Sequence, residues 1–475
     1  MKKKQIIYCT ALICGLTAGS CGIPRTIQKS VSREMPGSYN AATDSATIAE
    51  LSWRDYFKDP YLAALIDTAL ANNQELHIVM QEIAIARNEA KARKGEYLPS
   101  IGFRAGAGAE KRSEKTLLGR LERDLDIEHG KKNPEPLPDF VAGFSANWEV
   151  DIWKKLRNAR QAAVLRYLAS VEGKNFMVTQ LVGEIADTYY ELLALDQQLG
   201  IVNANIKIQT DALEVVKLQK AAARTTELAV RKFEAEVLKT QSLQYEIRQQ
   251  LLEAENKLSF LLGKYPHTIT RTEEAWNSVA PVLHTGLPAQ LLDNRPDIRQ
   301  AELELKAAQL DIKVAKAQFY PSLGLSAGIG LQAFNPAYLI KMPESLLMNL
   351  AGDLVAPLVN RNAIKATYLT ANAHQVQAAY NYEQKLLNAY IEVVNHLNKI
   401  NNLQQSIDLR SRQVKALNQS IEISNDLFTS ARADYMEVLM TQRDALESKF
   451  ELIESQKAQK MAQVNVYRAL GGGWK

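Results

Sequence analysis

Gly324-Leu325-Ser326-Ala327-Gly328 spells G-x-S-x-G, the pattern in which a serine on a sharp strand-to-helix turn becomes a nucleophile. That chemistry needs an acid and a histidine partner, and a helix directly after the serine. Here Ser326 stands on the small, polar face of an alternating stretch that no helical period follows, so a hydrolase built on Ser326 is the weakest reading of the chain. The six histidines are His77, His129, His267, His284, His374 and His396. None forms an i, i+4 pair and no H-E-x-x-H run occurs, so the sequence gives no support to a metal site. Met436 and Met440 are four residues apart; thioethers bind copper(I), but that spacing is also plain packing on one helix face. No cofactor is expected.

Cysteine tells more by its position. Lys2-Lys3-Lys4 precedes the apolar run from Ile6 to Leu16, followed by Leu16-Thr17-Ala18-Gly19-Ser20-Cys21. The run is too short to cross a bilayer and has the charged start and small-residue end of a secretory signal. A cysteine directly after Ala-Gly-Ser resembles the lipobox of bacterial lipoproteins, which predicts cleavage before Cys21 and acylation of its sulfur. The rival reading is an ordinary signal peptide with an incidental cysteine. Cys9 and Cys14 leave with the signal, so neither a disulfide framework nor thiol chemistry is expected. The net charge of +4 includes the three leading lysines, and a balance of about +1 without them makes no case for nucleic acid.

The elements that must position any site come in two copies. Tyr97-Leu98-Pro99-Ser100-Ile101-Gly102-Phe103-Arg104-Ala105-Gly106-Ala107-Gly108 superposes on Phe319-Tyr320-Pro321-Ser322-Leu323-Gly324-Leu325-Ser326-Ala327-Gly328-Ile329-Gly330. In each copy a helix-like run meets proline and turns into period-two alternation, a switch from helix to strand. Four stretches alternate: Ile101 to Ala109, Phe140 to Ile152, Leu323 to Ala333 and Leu346 to Leu358. Each has the length a tilted strand needs to cross a membrane, although a half-buried strand of a soluble sandwich alternates too. The charged stretch from Glu110 to Pro138 and the shorter one from Phe334 to Ser345 read as exposed hairpin loops.

The remainder reads as long helix. Ile185, Leu192, Leu199, Ile206 and Leu213 recur every seven residues, as do Val393, Ile400, Ile407, Val414, Ile421 and Phe428. A strict seven-residue period predicts coiled-coil packing. A helix from Lys154 to Ala222 would run roughly 100 Å at about 1.5 Å per residue. Each run turns back, at Arg224-Thr225-Thr226-Glu227 and at Arg432-Ala433-Asp434-Tyr435, and the return arms stop at Gly263 and Gly471. The predicted division is a signal at 1–20 and an extended tether at 21–60. A first repeat follows at 61–263, with strands at about 99–112 and 139–152 and a helical hairpin at 154–263. A linker at 264–290 leads to a second repeat at 291–475, with strands at about 321–334 and 346–358 and a hairpin at 361–471.

Four amphipathic strands cannot close a membrane barrel, and an open edge is not tolerated in hydrocarbon, so strands in a membrane require several copies to pool them. Here the residues match something known. Gly286-Leu287-Pro288 followed by Leu291-Leu292-Asp293-Asn294-Arg295-Pro296-Asp297-Ile298-Arg299-Gln300-Ala301-Glu302, the paired Pro-Ser switches, the stretch from Trp53 to Asn72 and Trp148-Glu149-Val150-Asp151-Ile152-Trp153 resemble the TolC-like outer-membrane efflux family. The likeness is to its lipid-anchored branch, which serves resistance-nodulation-division pumps. It implies an α+β membrane protein: a homotrimer with a twelve-stranded outer-membrane β-barrel, four strands per chain, continued by a periplasmic helical coiled-coil barrel. It further implies a non-enzymatic exit duct working with a periplasmic adaptor and an inner-membrane pump. The helical tips should constrict that duct, which makes Asp426, Phe428 and Asp434 candidate gate residues; a solvated coiled-coil face is the plain alternative for such charges. Arg224, Thr225, Thr226, Arg432, Ala433 and Asp434 are candidate adaptor contacts, or simply turn residues. Gly102, Gly106, Gly108, Gly324, Gly328 and Gly330 are expected on the lumen side. The rival from another class is a lipid-anchored coiled-coil scaffold without a pore.

Overall fold

The computed structural model of the chain describes residues 23–475 apart from 27–28, 32–33, 40–45, 273, 275, 277–283 and 431; the predicted signal and Cys21 lie outside the described residues. Two compact units emerge. One holds 84–168 and 303–380 with the described residues up to 30; the other holds 31–83, 169–302 and 381–475. Neither coincides with a sequence repeat, because each takes segments from both halves.

The first unit is built on a sheet. Helix α3 (Gln74–Glu96) and helix α8 (Pro296–Ala317) end just ahead of Pro99 and Pro321, and strands β1 (Ser100–Glu110) and β5 (Ser322–Ala333) begin one residue after each proline. Proline has no N–H to extend a helix, and the alternating residues after it favour a ladder. Ser100 and Ser322 donate their hydroxyls across the new pairing, to the carbonyls of Asn147 (3.1 Å) and Val355 (3.4 Å). With β4 (Leu137–Val150) and β6 (Leu346–Val355), the strands form one antiparallel sheet in the order β1-β4-β5-β6. Each half contributes a hairpin, and the two repeats meet where β4 pairs with β5.

Register decides which face is apolar. Phe103 pairs with Phe144, Phe144 with Ile329 and Ile329 with Met348; Ile101, Ala146, Ala327 and Leu350 form the next row on that face. The other face holds the rows Ser145–Gly328–Asn349, Asn147–Ser326–Ala351 and Glu149–Gly324–Asp353. Phe103, Phe144, Ile329, Met348, Leu350 and Leu354 are exposed in the chain by itself, so their face is left uncovered by the described residues.

Two indoles lock the switches. Trp148 donates to the Tyr97 carbonyl (3.0 Å) and Trp153 to the Pro321 carbonyl (2.8 Å). The buried Asp151 carboxylate accepts from the backbone N–H groups of Leu156 (3.0 Å) and Arg157 (2.9 Å), closing the start of helix α5 (Lys155–Ala221). The return to helix is made through a left-handed residue in both halves, Lys154 at φ 57° and Asn360 at φ 53°.

The second unit is a helical assembly. Helix α5 continues into it and turns back as α6 (Glu227–Leu261); helix α9 (Asn362–Thr429) does the same and returns as α10 (Tyr435–Ala469). The core gathers Ile185, Tyr189, Leu192, Leu258, Val393 and Tyr467 with Leu62 and Ile66 of helix α2 (Pro60–Asn72), and the short helices α1 (Trp53–Tyr56) and α7 (Leu291–Asn294) add Trp53, Tyr56 and Leu291. Along the first heptad seam Ile185, Leu192 and Leu213 are buried, while Ile407, Val414 and Ile421 of the second are only half-buried.

The duplication is legible in three dimensions at the glycine stops. Gly263 (φ 66°) and Gly471 (φ 95°) both take the left-handed conformation. A Cβ there would lie 2.3 Å from the Asn72 carbonyl oxygen and 2.5 Å from that of Asn294. The residue after each of those asparagines binds the last helical carbonyl: Asn73 donates to Leu261 (3.0 Å) and Arg295 donates to Ala469 (3.0 Å).

Described residues of the stretch read as an extended tether lie against residues far along the chain. In the first unit Ile23 joins a cluster with Ile312, Phe319 and Tyr368, and Gln375 donates to the Lys29 carbonyl (3.1 Å). In the second, Tyr39 is buried and stacks on Tyr390 at 5.6 Å. The long loop differs as well: between β1 and β4 it forms helix α4 (Leu117–Asp124) and a small hairpin of β2 (Asp126–Glu128) and β3 (Lys131–Lys132).

Candidate functional site

Two places carry the polar groups a conduit would use: the polar face of the sheet and the tips of the helical hairpins. On the sheet, Ser326 sits between Asn147 and Ala351 in mid-ladder, and β5 runs on for seven more residues to Ala333. There is no strand-to-helix elbow, and the serine serves a polar row. The carboxylates of Glu149 and Asp353 flank Gly324 in one row, with Lys155 pairing Glu149 at 2.5 Å. Besides its glycines this face offers the Glu149 and Asp353 carboxylates, the Asn147 and Asn349 amides, the Ser145 and Ser326 hydroxyls and Arg104, fit for contact with water.

The two tips share a backbone design. The Arg224 N–H donates to the Gln219 carbonyl and the Arg432 N–H to the Leu427 carbonyl, both at 2.8 Å and at equivalent positions of the repeats. The side chains diverge. At the first tip Lys220 and Arg231 (2.9 Å) both hold Glu227, and these partners draw its carboxyl below the usual carboxylate range, the Lys220 bond most strongly. At the matching places of the second tip stand Phe428, Tyr435 and Leu439, which pack on Leu213, Val216, Val230, Phe233 and Val438. The first tip carries ion pairs where the second carries apolar side chains, and the apolar cluster joins both hairpins.

Phe428 is therefore committed to the cluster between the tips. Asp426 and Asp434 are exposed and, with exposed Arg432, make no ion pair among the described residues. Asp426 accepts at its backbone carbonyl from both the N–H and the hydroxyl of Ser430. Asp434 precedes α10 without capping it through its side chain. Arg224 is exposed, Thr225 and Ala433 are half-buried, and the Thr226 hydroxyl caps α6 by accepting from the Ala229 N–H (3.3 Å). Among the described residues no group of three or more His, Cys, Asp and Glu side chains is placed to hold a metal ion. No helix among them is long and apolar enough to cross a membrane.

The profile of the outer membrane efflux protein family matches residues 65–264 and 287–472. The chain belongs to that family. This outer membrane efflux protein is 27% identical over 461 residues to the pyoverdine export outer membrane protein OpmQ of Pseudomonas aeruginosa, covering 97% of this chain and 95% of OpmQ. It is 26% identical to the probable outer membrane lipoprotein SilC of Salmonella typhimurium, covering 93% of each. The open-state structure of the MtrE outer membrane channel of Neisseria gonorrhoeae superposes with a TM-score of 0.82 at 22% identity, over 96% of this chain and 99% of that one.

Within this efflux protein the Arg-Pro-Asp signature does structural work. The Arg295 guanidinium, almost fully buried, forms a two-pronged bond with Asp297 (3.0 and 2.8 Å), pairs with Glu392 (2.7 Å) and holds the Ala469 carbonyl. It fastens the second glycine stop to α9. Trp148, Asp151 and Trp153 hold the switch between helix and strand, a role that aromatic and acidic residues near a strand end do not announce.

Proposed function

We propose that three copies of this outer-membrane efflux protein pool their strands into one twelve-stranded barrel that serves as the passive exit duct of a tripartite pump. The observation that carries it is the four-stranded sheet, exposed and apolar on one face, polar and glycine-rich on the other, with β1 and β6 as its two outer strands. In hydrocarbon those outer edges must pair, and four strands are too few to close on themselves. The polar face then lines the lumen, with Gly102, Gly324, Gly328 and Gly330 upon it, and the helical hairpins continue the conduit into the periplasm.

At the periplasmic end the exposed Asp426 and Asp434 come together around the symmetry axis. Like charges on that axis repel, attract cations and bias the opening, while Phe428 stiffens the tip that carries them. Arg224, Thr225, Thr226, Arg432, Ala433 and Asp434 face a periplasmic adaptor, behind which an inner-membrane pump of the resistance-nodulation-division type supplies cargo and energy. Relatives are named for the export of pyoverdine and for cation efflux, which suits a duct whose cargo is chosen by the pump. Acylation at Cys21 tethers the chain to the membrane, a reading supported by the lipobox-like run and by the lipoprotein relative.

The deciding experiment is conductance of the full-length protein in planar bilayers, expected as discrete steps. Folded, correctly inserted protein that never conducts would favour the pore-free scaffold. Mass spectrometry of the mature chain should find lipid on Cys21, and Cys21→Ala should lose it.

A further inference from the structure

The loop between β1 and β4 contains helix α4, whose apolar side is turned away from its own polar fastenings. Helix α4 is capped by the Thr116 hydroxyl, which accepts from the Gly119 N–H at 3.2 Å. On the Gly119 side it is pressed to its own loop: a Cβ at Gly119 would lie 2.2 Å from the Ser113 carbonyl oxygen. Glu122 pairs with Arg112 (3.0 Å), Arg123 pairs with Glu114 (3.3 Å), and the Asn133 amide holds the carbonyls of Glu122 and Leu125 (3.3 Å to the latter).

At about 100° per residue, Leu117, Leu118, Leu121 and Leu125 fall within one arc of about 100°, with Gly119 and Arg123 opposite its centre. Those four leucines are 76%, 57%, 46% and 61% exposed. Lys115 and Arg120, beside the stripe, make no ion pair among the described residues. The loop is rooted at Glu110 and Leu137, where the rows of Phe103, Phe140 and Phe144 run out.

We propose that helix α4 is an interfacial anchor, lying in the outer leaflet beside the barrel with its leucines among acyl chains and Lys115 and Arg120 on anionic lipid phosphates. The proposal rests on the reading that the apolar face of the sheet meets lipid, which the leucine stripe prolongs. Cations bordering an apolar helix face are the arrangement by which such helices sit at a charged membrane surface. A tight two-sided fastening of the loop leaves the helix held at that depth before any lipid arrives.

The test uses the full-length protein in vesicles of phosphatidylcholine with and without lipid A. Leu121→Cys and, as the opposite-side control, Arg123→Cys carry an environment-sensitive fluorophore, against an unsubstituted labelled parent. Brominated acyl chains should quench the label at 121 at least twofold more than at 123, and lipid A should deepen that difference. Arg120→Glu should abolish the lipid A effect while leaving the heat resistance of the oligomer unchanged. Equal quenching at both positions overturns the proposal, as does disulfide cross-linking of Leu121→Cys between neighbouring copies, which would make the stripe a subunit contact. Conductance measured on the same vesicles keeps the two readings apart: quenching at 121 without conductance counts against the duct, and conductance without quenching counts against the anchor.

Discussion

Arg295 shows how a residue that looks functional by its signature can be a fastening. Its charge is stripped of water and matched by Asp297, Glu392 and a helix-end carbonyl, so removing it leaves Asp297 buried without a partner. Arg295→Ala is expected to cost about 3–5 kcal/mol, and Arg295→Lys less, since it keeps the charge and loses the fork; thermal unfolding in detergent reads both. Asp187 is the opposite case. Burial raises its carboxyl to about 6, with Arg468 and Asn465 opposing only part of the effect. A carboxyl raised above its unfolded value binds protons more tightly when folded, so stability is full below the unfolded pKa and falls as pH climbs from about 4 through about 6. Asp187→Asn should flatten that fall, worth roughly 2 kcal/mol, in unfolding midpoints taken between pH 4 and pH 7.

Among the elements, the two hairpin tips are repeats that diverged in chemistry while keeping their backbone. To an apolar cluster that both share, the first adds Glu227 and its cations, all at the surface, and the second adds Phe428, Tyr435 and Leu439. Surface ion pairs weaken with salt and vanish when the carboxylate is protonated. Because the Glu227 carboxyl is drawn down, its contribution is present at neutral pH and lost as pH falls through that lowered value. Hydrogen exchange should therefore quicken at residues 219–231 with added salt or acid, and stay level at 427–439. Phe428→Ala should reverse the order, quickening exchange at the second tip in all conditions; large-to-small changes at well-packed aromatic sites cost about 3–5 kcal/mol, and a half-buried one about half of that. Equal responses of the two tips to salt would remove the distinction.

At the scale of the whole molecule the sequence halves are not the compact units. Strand hairpins from both halves pair into one sheet, and helical hairpins from both halves share one core, because strands seek strands and heptads seek heptads whatever repeat they come from. The proposed gate belongs to this scale, since a ring of carboxylates would form only in the proposed assembly. Asp426→Ala is expected to raise resting conductance and the leak of bulky antibiotics severalfold, and Asp426→Glu to leave both near the parent. Unchanged closure in the alanine variant would move the gate elsewhere along the tips.

Local chemistry was enough to read the two Pro-Ser switches, the alternating strands, the heptads and the glycine stops from sequence, because each is dictated by residues within a turn or two. Proline ends a helix wherever it stands, and a period of two or seven declares its own partner face. What only the tertiary structure decided depends on groups far apart in the chain. The pairing of β4 with β5, the indole bonds of Trp148 and Trp153 to distant carbonyls, and the grip of Arg295 on Ala469 all join residues that no spacing connects. The same holds for the described residues of the predicted extended tether: Ile23, Lys29 and Tyr39 rest on residues far along the chain, contacts that nothing within the segment could have declared.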